Sequence, residues 1–112
     1  METKKVKISL LDRVTIPSVV KKEGDFNEMI ISSDINKKTG IKQDDLVKYN
    51  IKTAPGGGIT WDSEINTDLE VEFTELEFKM IVDGIKKLNE EKKLTQDHIG
   101  LYKAFVEYKK SD

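Results

Sequence analysis

A proline followed by three glycines is the segment best suited to special chemistry: Pro55, Gly56, Gly57 and Gly58. Glycine-rich loops can wrap a phosphate group with their backbone N–H groups, but that use requires the glycines to open a helix. Here they lead into Ile59 and Trp61, which alternate with polar residues as in a strand. The pattern favours a flexible hairpin tip, and any role for this glycine loop (residues 55–58) would be contact with a partner.

Trp61, the only tryptophan, lies three positions beyond the glycine loop. Tryptophan is common among the residues that anchor protein interfaces, and it is also a routine core residue. Alternation with Ile59 favours the core, while the interface interpretation stays open. We therefore treat the glycine loop together with Trp61, the loop patch, as the candidate surface for binding a protein partner.

His98 is the only histidine, and histidine is the residue most often used in acid–base catalysis and zinc binding. It follows Asp97 in the first turn of the last predicted helix, where we expect it to be exposed. No second histidine and no cysteine is present to complete a metal site. The sequence predicts a surface position for His98, and neither a metal nor a cofactor.

Acidic side chains are numerous, but the closest pairs have structural uses. Glu70 and Glu72 suit the polar face of a strand, and Glu75 and Glu77 suit the start of a helix, where they favour the helix dipole. No calcium-loop pattern is present. Because no nucleophile, base and orienting group can be assembled, we expect no enzymatic activity and no catalytic residues.

The charge balance bears on possible partners. The chain has 21 acidic and 19 basic residues and a net charge of −2, so it has no general attraction for nucleic acid or an acidic membrane. Arginine is preferred for phosphate and base edges, yet Arg13 is the only one. The alternative is a nucleic-acid-binding regulator that reads DNA with its last helix, but Asp97 lies at the start of that helix, where a basic residue would be expected.

The length of 112 residues suits one domain spanning residues 1–112, large enough for an ordinary core. The absence of cysteine fits a reducing compartment. Neither a signal peptide nor an apolar stretch long enough to span a membrane is visible. We therefore expect a soluble protein.

Alternating and helical patterns predict the elements. The predicted strands cover residues 4–10, 49–53, 58–62 and 69–73, with 49–53 and 58–62 forming a hairpin around the glycine loop. The predicted helices cover residues 26–38, 42–48 and 75–92, and a last one begins at residues 95–98. Two capping boxes, Asp25 with Glu28 and Thr74 with Glu77, predict the starts of the first and third of these helices. Residues 11–20 form a connection with one possible helical turn at Pro17.

Apolar spacing predicts which helix residues reach the core. In the helix over 26–38 these are Phe26, Met29, Ile30 and Ile35. In the helix over 42–48 they are Ile41, Leu46 and Val47. In the last helix they are Ile99, Tyr102, Phe105 and Val106.

The order of elements predicts an α+β fold, a small mostly antiparallel sheet with a C-terminal antiparallel helix hairpin packed on one face. Lys5 and Lys7 lie on the polar face of the first strand, and Glu70 and Glu72 on that of the last. Opposite charges stabilise facing positions, so we expect these two strands to pair.

Two stretches give the chain a resemblance to known proteins: residues 11–41, with Thr15-Ile16-Pro17 and Lys22-Glu23-Gly24-Asp25-Phe26, and residues 72–105, which contain Leu94-Thr95-Gln96-Asp97-His98. Together they resemble small uncharacterised proteins encoded by bacteriophages and prophages. The resemblance carries no catalytic residues to transfer. It implies a compact accessory protein that works by binding, in the cytoplasm of a bacterial host or in a virion. Because no chemical constellation is present and the charges are balanced, we expect it to act by protein–protein contact, as a virion or assembly component or as an inhibitor of a host protein, with self-association also open.

Overall fold

The computed structural model of the protein describes residues 3–62 and 64–108. The strands within these residues are β1 (Thr3–Ile8), β2 (Lys52–Thr53), β3 (Ile59–Thr60) and β4 (Leu69–Thr74). The α-helices are α1 (Leu10–Thr15), α2 (Phe26–Thr39), α3 (Gln43–Lys48), α4 (Glu75–Glu90) and α5 (His98–Leu101). A 3₁₀ turn, Ile16–Ser18, follows α1, and a π-helical turn, Tyr102–Val106, follows α5.

The first and last strands pair as predicted. β1 and β4 are antiparallel, with Lys5 opposite Glu72 and Lys7 opposite Glu70. β2 and β3 form a second antiparallel ladder that is not continuous with the first. The α+β class is confirmed, with the strands divided between two small antiparallel sheets.

The main core lies between the β1–β4 sheet and the longer helices. Its largest members are aromatic: the Phe73 and Phe105 ring centroids are 5.4 Å apart, and those of Phe78 and Phe105 are 5.5 Å apart. Phe78 is near the start of α4 and Phe105 is near the end of the chain, so the two C-terminal segments pack in antiparallel directions. The second arm of the predicted helix hairpin is short, because only α5 and the π turn form it.

A smaller second core lies under the β2–β3 hairpin. It consists of the buried residues Leu10, Tyr49 and Ile51, against which Ile41, Trp61 and Ile65 pack. The predicted strands 49–53 and 58–62 are each shortened to two residues. Tyr49 caps α3, and Asn50 is left-handed with a φ of 52°, so the end of the helix takes up the positions predicted to be strand.

Capping side chains fix where the longer helices begin. The predicted boxes are confirmed: Asp25 pairs with Glu28 at α2, and Thr74 pairs with Glu77 at α4. A third box, of Ser9 with Asp12, starts α1. It ends β1 at Ile8, so the predicted strand 4–10 was too long, and most of the predicted connection 11–20 is helical.

Several predicted core positions are exposed instead. On α2, Ile35 is buried but Phe26 is 77% exposed and Ile30 is 47% exposed. On α3, Leu46 and Val47 are exposed, because that helix is attached through Tyr49 and Ile51, which lie after it. Ile99 on α5 is also exposed. α3 and α5, with six and four residues, are too short for apolar spacing to predict burial, and α2 fully buries only Ile35 of its predicted core positions.

The chain passes unusually close to itself at Gly84. A Cβ added to this α4 glycine would lie 1.8 Å from the backbone oxygen of Val19. The segment after the 3₁₀ turn therefore crosses directly over α4, and only a residue without a Cβ can lie this close to the Val19 backbone.

Within residues 3–62 and 64–108, no helix is long and apolar enough to cross a membrane.

Candidate functional site

The glycine loop is a tight and well-defined turn. The Gly57 N–H donates to the carbonyl of Ala54 at 3.1 Å, which closes a β-turn with Pro55 and Gly56 at its centre. Gly56 has a φ of 90°, as the third residue of a type II turn requires, and proline is favoured before it. The Ala54 N–H then donates to the carbonyl of Gly58 at 3.0 Å and joins the turn to the strands.

The loop contributes nothing to the core. A Cβ added at Gly56, Gly57 or Gly58 would meet no atom within 4 Å, so these glycines are needed for their positive φ angles and not for close packing. The chain then enters β3 and not a helix. The loop therefore lacks the helix N-terminus that would favour phosphate, and it is an exposed hairpin tip.

Trp61 lies at the base of the same hairpin and packs, partly buried, on the second core. The N–H of its neighbour Asp62 donates to the carbonyl of Tyr49 at 3.1 Å and holds this base to the end of α3. Ile59 is 37% exposed, so it does not share a buried face with Trp61. The loop patch thus lies on one hairpin, with the glycines at its tip and Trp61 at its base.

His98 is buried, contrary to the prediction of an exposed position, with only 7% of its surface accessible. Its Nδ1 accepts a hydrogen bond from the Thr95 backbone N–H at 3.0 Å. Its Nε2 lies 3.0 Å from the Ser18 hydroxyl, which donates to the carbonyl of Thr15 at 2.6 Å. The pattern from Thr95 to His98 predicts a helix start but not the burial of His98. The histidine is buried because Ser18, which is distant in sequence, packs against its ring.

These hydrogen bonds determine the tautomer of the histidine. A backbone N–H can only donate, so Nδ1 carries no proton and Nε2 carries it. The Nε2–H then donates to the Ser18 oxygen. A histidine that activates a serine needs a bare nitrogen facing the hydroxyl, which is the opposite arrangement. The Ser18–His98 pair therefore has the geometry of a structural bridge between the 3₁₀ turn and α5.

Sequence reasoning missed a second buried polar group, the Arg13 guanidinium. Arg13 is 3% exposed and donates to the carbonyls of Thr39 at 3.1 Å and Gly40 at 2.9 Å. It also donates to the Asp45 carboxylate at 2.8 Å, and this hydrogen bond lowers the pKa of Asp45. Its position as the only arginine, inside an apolar stretch, was the available signal.

Arg13 joins three helices because of where its partners lie. Thr39 and Gly40 end α2, so their carbonyls attract a cation. Asp45 belongs to the first turn of α3 and also accepts from the Lys42 backbone N–H at 2.8 Å. We call Arg13, the two carbonyls and Asp45 the arginine clasp. It connects the main core to the part of the chain that carries the loop patch.

A concavity lies elsewhere, between α2, α4 and the segment after the 3₁₀ turn. It is an open groove of about 500 Å³. Its apolar lining includes Ile31, Leu76, Met80 and Leu88. Its charged lining consists of Lys21, Glu28, Lys79, Asp83, Lys87 and Glu91. No pattern in the sequence predicts this α4 groove.

Two lining residues of the α4 groove form an ion pair. Lys21 donates to the carboxylate of Glu28, a hydrogen bond that raises the pKa of Lys21 and lowers the pKa of Glu28. Both groups are accessible to water, so the pair contributes little to stability. Because the two charges are opposite, the ion pair adds no net charge to the groove lining.

Among residues 3–62 and 64–108, no group of three or more histidine, aspartate or glutamate side chains could hold a metal ion.

No protein-family model matches the sequence, and no similar curated protein or solved structure was found.

Proposed function

We propose that the protein is a non-enzymatic interaction module that binds another protein through the loop patch. The observation that carries the proposal is the exposed glycine turn, which packs against nothing while its base is fixed to the second core by Trp61. A tip that packs against no other part of the chain leaves its surface available to a partner, and loops held on a rigid base often carry binding functions.

The surroundings of the loop patch support a preformed binding surface. The type II turn limits the tip to one backbone conformation, so little entropy is lost when a partner binds. The arginine clasp and the contact between Tyr49 and Asp62 tie the base to the rest of the chain. The accessible part of Trp61 can supply apolar surface at the base of the hairpin, as aromatic anchors do in interfaces.

The resemblance to small phage and prophage proteins suggests the biological setting. A virion or assembly component, or an inhibitor of a host protein, would act by binding and would need neither metal nor cofactor. The nucleic-acid alternative has less support. α5 is four residues long, and the π turn that follows it replaces the regular helix that would enter a DNA groove.

The test is capture of partners from a bacterial host lysate with tagged protein, followed by mass spectrometry. A Pro55→Arg variant adds bulk and charge at the tip, where the side chain is exposed, and should abolish capture. A Lys86→Glu variant changes an exposed side chain on α4 and should capture the same partner as the wild type. Equal capture by Pro55→Arg and the wild type would contradict the assignment to the loop patch.

A further inference from the structure

The exposed side of α4 carries a row of charges whose signs alternate. Lys79, Asp83, Lys87 and Glu91 follow one another at intervals of four residues, so they lie side by side along the helix. All four side chains are exposed and line the α4 groove. Glu91 lies one residue past the end of α4 but keeps helical backbone angles, which continues the row.

This order of charges is complementary to itself when reversed. The row runs positive, negative, positive, negative, so an antiparallel copy runs negative, positive, negative, positive beside it. Lys79 then faces Glu91 of the second copy, and Asp83 faces Lys87. A parallel copy in the same register would place equal charges together. The row therefore favours an antiparallel second copy of this chain over a parallel one.

The geometry of helix packing suits the same arrangement. Rows of side chains spaced by four residues interdigitate when two helices cross at about −50°, the commonest packing class. Beside the charged row, Leu76 is 63% exposed and Met80 and Leu88 are partly buried. Val19 covers Gly84 between them, so the apolar surface next to the ion pairs lies towards the ends of the row.

We infer that the protein forms a symmetric dimer in which the α4 charge row pairs with that of a second copy. The site is separate from the loop patch, so the dimer is expected to form whether or not that patch binds a partner. A two-fold axis passing between Asp83 and Lys87 on the exposed side of α4 would repeat each ion pair.

The alternation could instead serve the helix itself, since opposite charges four residues apart stabilise an isolated helix. Lys79 and Asp83 form such a pair at 2.9 Å. The two explanations differ in one experiment. Asp83→Lys gives a chain with positive charges at positions 83 and 87, and Lys87→Glu gives one with negative charges at both. Each variant should repel its own copy, but the two should pair with each other.

The experiment measures mass by sedimentation equilibrium for the wild type, each variant and an equimolar mixture. The wild type should dimerise, each single variant should dimerise at least roughly tenfold more weakly, and the mixture should recover the wild-type affinity. High salt should weaken the wild-type dimer by screening these exposed pairs. The recovery cannot come from helix stability, because each chain in the mixture keeps its own unfavourable charges.

Lys86→Glu and Glu90→Lys are matched controls, since both reverse an exposed charge on α4 outside the row. They should dimerise like the wild type. Circular dichroism checks that every variant is folded. A wild type that stays monomeric up to roughly 1 mM would overturn the inference. So would a mixture of the two variants that associates no better than either alone.

Discussion

Three buried polar side chains connect parts of the chain that are far apart in sequence. Arg13 joins α1 to the end of α2 and the start of α3, and His98 joins α5 to the 3₁₀ turn. Glu77, 5% exposed, accepts from Lys38 on α2 at 2.6 Å and from the Thr74 N–H at 2.9 Å. Since a buried polar group without a partner destabilises the fold, each of these residues favours one arrangement of the helices.

His98→Ala should lower the free energy of unfolding by about 1 to 2 kcal/mol, because the Thr95 N–H loses its acceptor and a buried ring is removed. Urea denaturation measures the change. The neighbouring Asp97 makes no capping hydrogen bond, so Asp97→Ala should stay within about 0.5 kcal/mol of the wild type. Equal stability of the two variants would show that the histidine bridge contributes nothing.

Gly84→Ala should destabilise the protein, although alanine normally stabilises a helix by about 1 kcal/mol relative to glycine. The new methyl group would lie 1.8 Å from the Val19 carbonyl oxygen, and backbone cannot move aside as a side chain can. We expect a loss of about 3 kcal/mol or more. Thermal unfolding measures it.

Gly100→Ala is the comparison for Gly84→Ala. There the added Cβ meets only the Asp12 carboxylate, which can shift. Its destabilisation should be smaller than that of Gly84→Ala, and an equally stable Gly84→Ala variant would be incompatible with the close crossing at Val19.

At the scale of the elements, sequence reasoning predicted most of what local chemistry determines. The capping pairs at Asp25 and Thr74 located the starts of α2 and α4, and facing lysines and glutamates predicted the β1–β4 pair. The box at Ser9 was overlooked, because Leu10 continues the alternation of the strand before it. The predicted β2–β3 strands were too long, since the end of α3 uses some of the same residues.

Tertiary contacts determine what the sequence could not show about the candidate sites. The tip position of the glycine loop followed from turn chemistry alone, and the structure places it there. The burial of His98 depends on Ser18, 80 residues earlier in the chain. The α4 groove depends on Val19 crossing Gly84, and no local pattern reports such a crossing.

A glycine substitution at the C-terminal end of α4 should stabilise that helix. Lys92 has a φ of 58°, in the left-handed region, and the Lys93 N–H donates to the Leu88 carbonyl at 2.8 Å as in a Schellman motif. Lys92→Gly removes the strain of the side chain and should stabilise the protein by about 0.5 to 1 kcal/mol. The melting temperature should rise.

Lys93→Gly is the control for Lys92→Gly, because it adds chain freedom without relieving strain and should be neutral or destabilising. A lower melting temperature for Lys92→Gly than for the wild type would contradict this account of the helix end.

For the whole molecule, the arginine clasp joins the main core to the part that carries the loop patch. Arg13 lowers the pKa of Asp45, so the folded protein favours the charged carboxylate. The stability that Asp45 contributes is therefore complete above its unfolded pKa of about 3.9 and is lost as the pH falls through the lower folded value.

Asp45→Asn removes this charge and should lower stability at neutral pH by roughly 1.5 to 3 kcal/mol, the range for hydrogen bonds to charged groups. The difference from the wild type should shrink as the pH falls below about 3.9. Urea titrations at a series of pH values measure both effects. A difference that stays constant down to strongly acidic pH would show that the Asp45 charge does not hold the clasp.

The central claim is that the protein works by binding a partner through the glycine loop and Trp61. Amide hydrogen exchange, read by mass spectrometry with and without the captured partner, tests it most directly. The account predicts slower exchange on binding across residues 54–61, with little change over α5. Protection confined to other parts of the chain, with residues 54–61 exchanging as in the free protein, would contradict it.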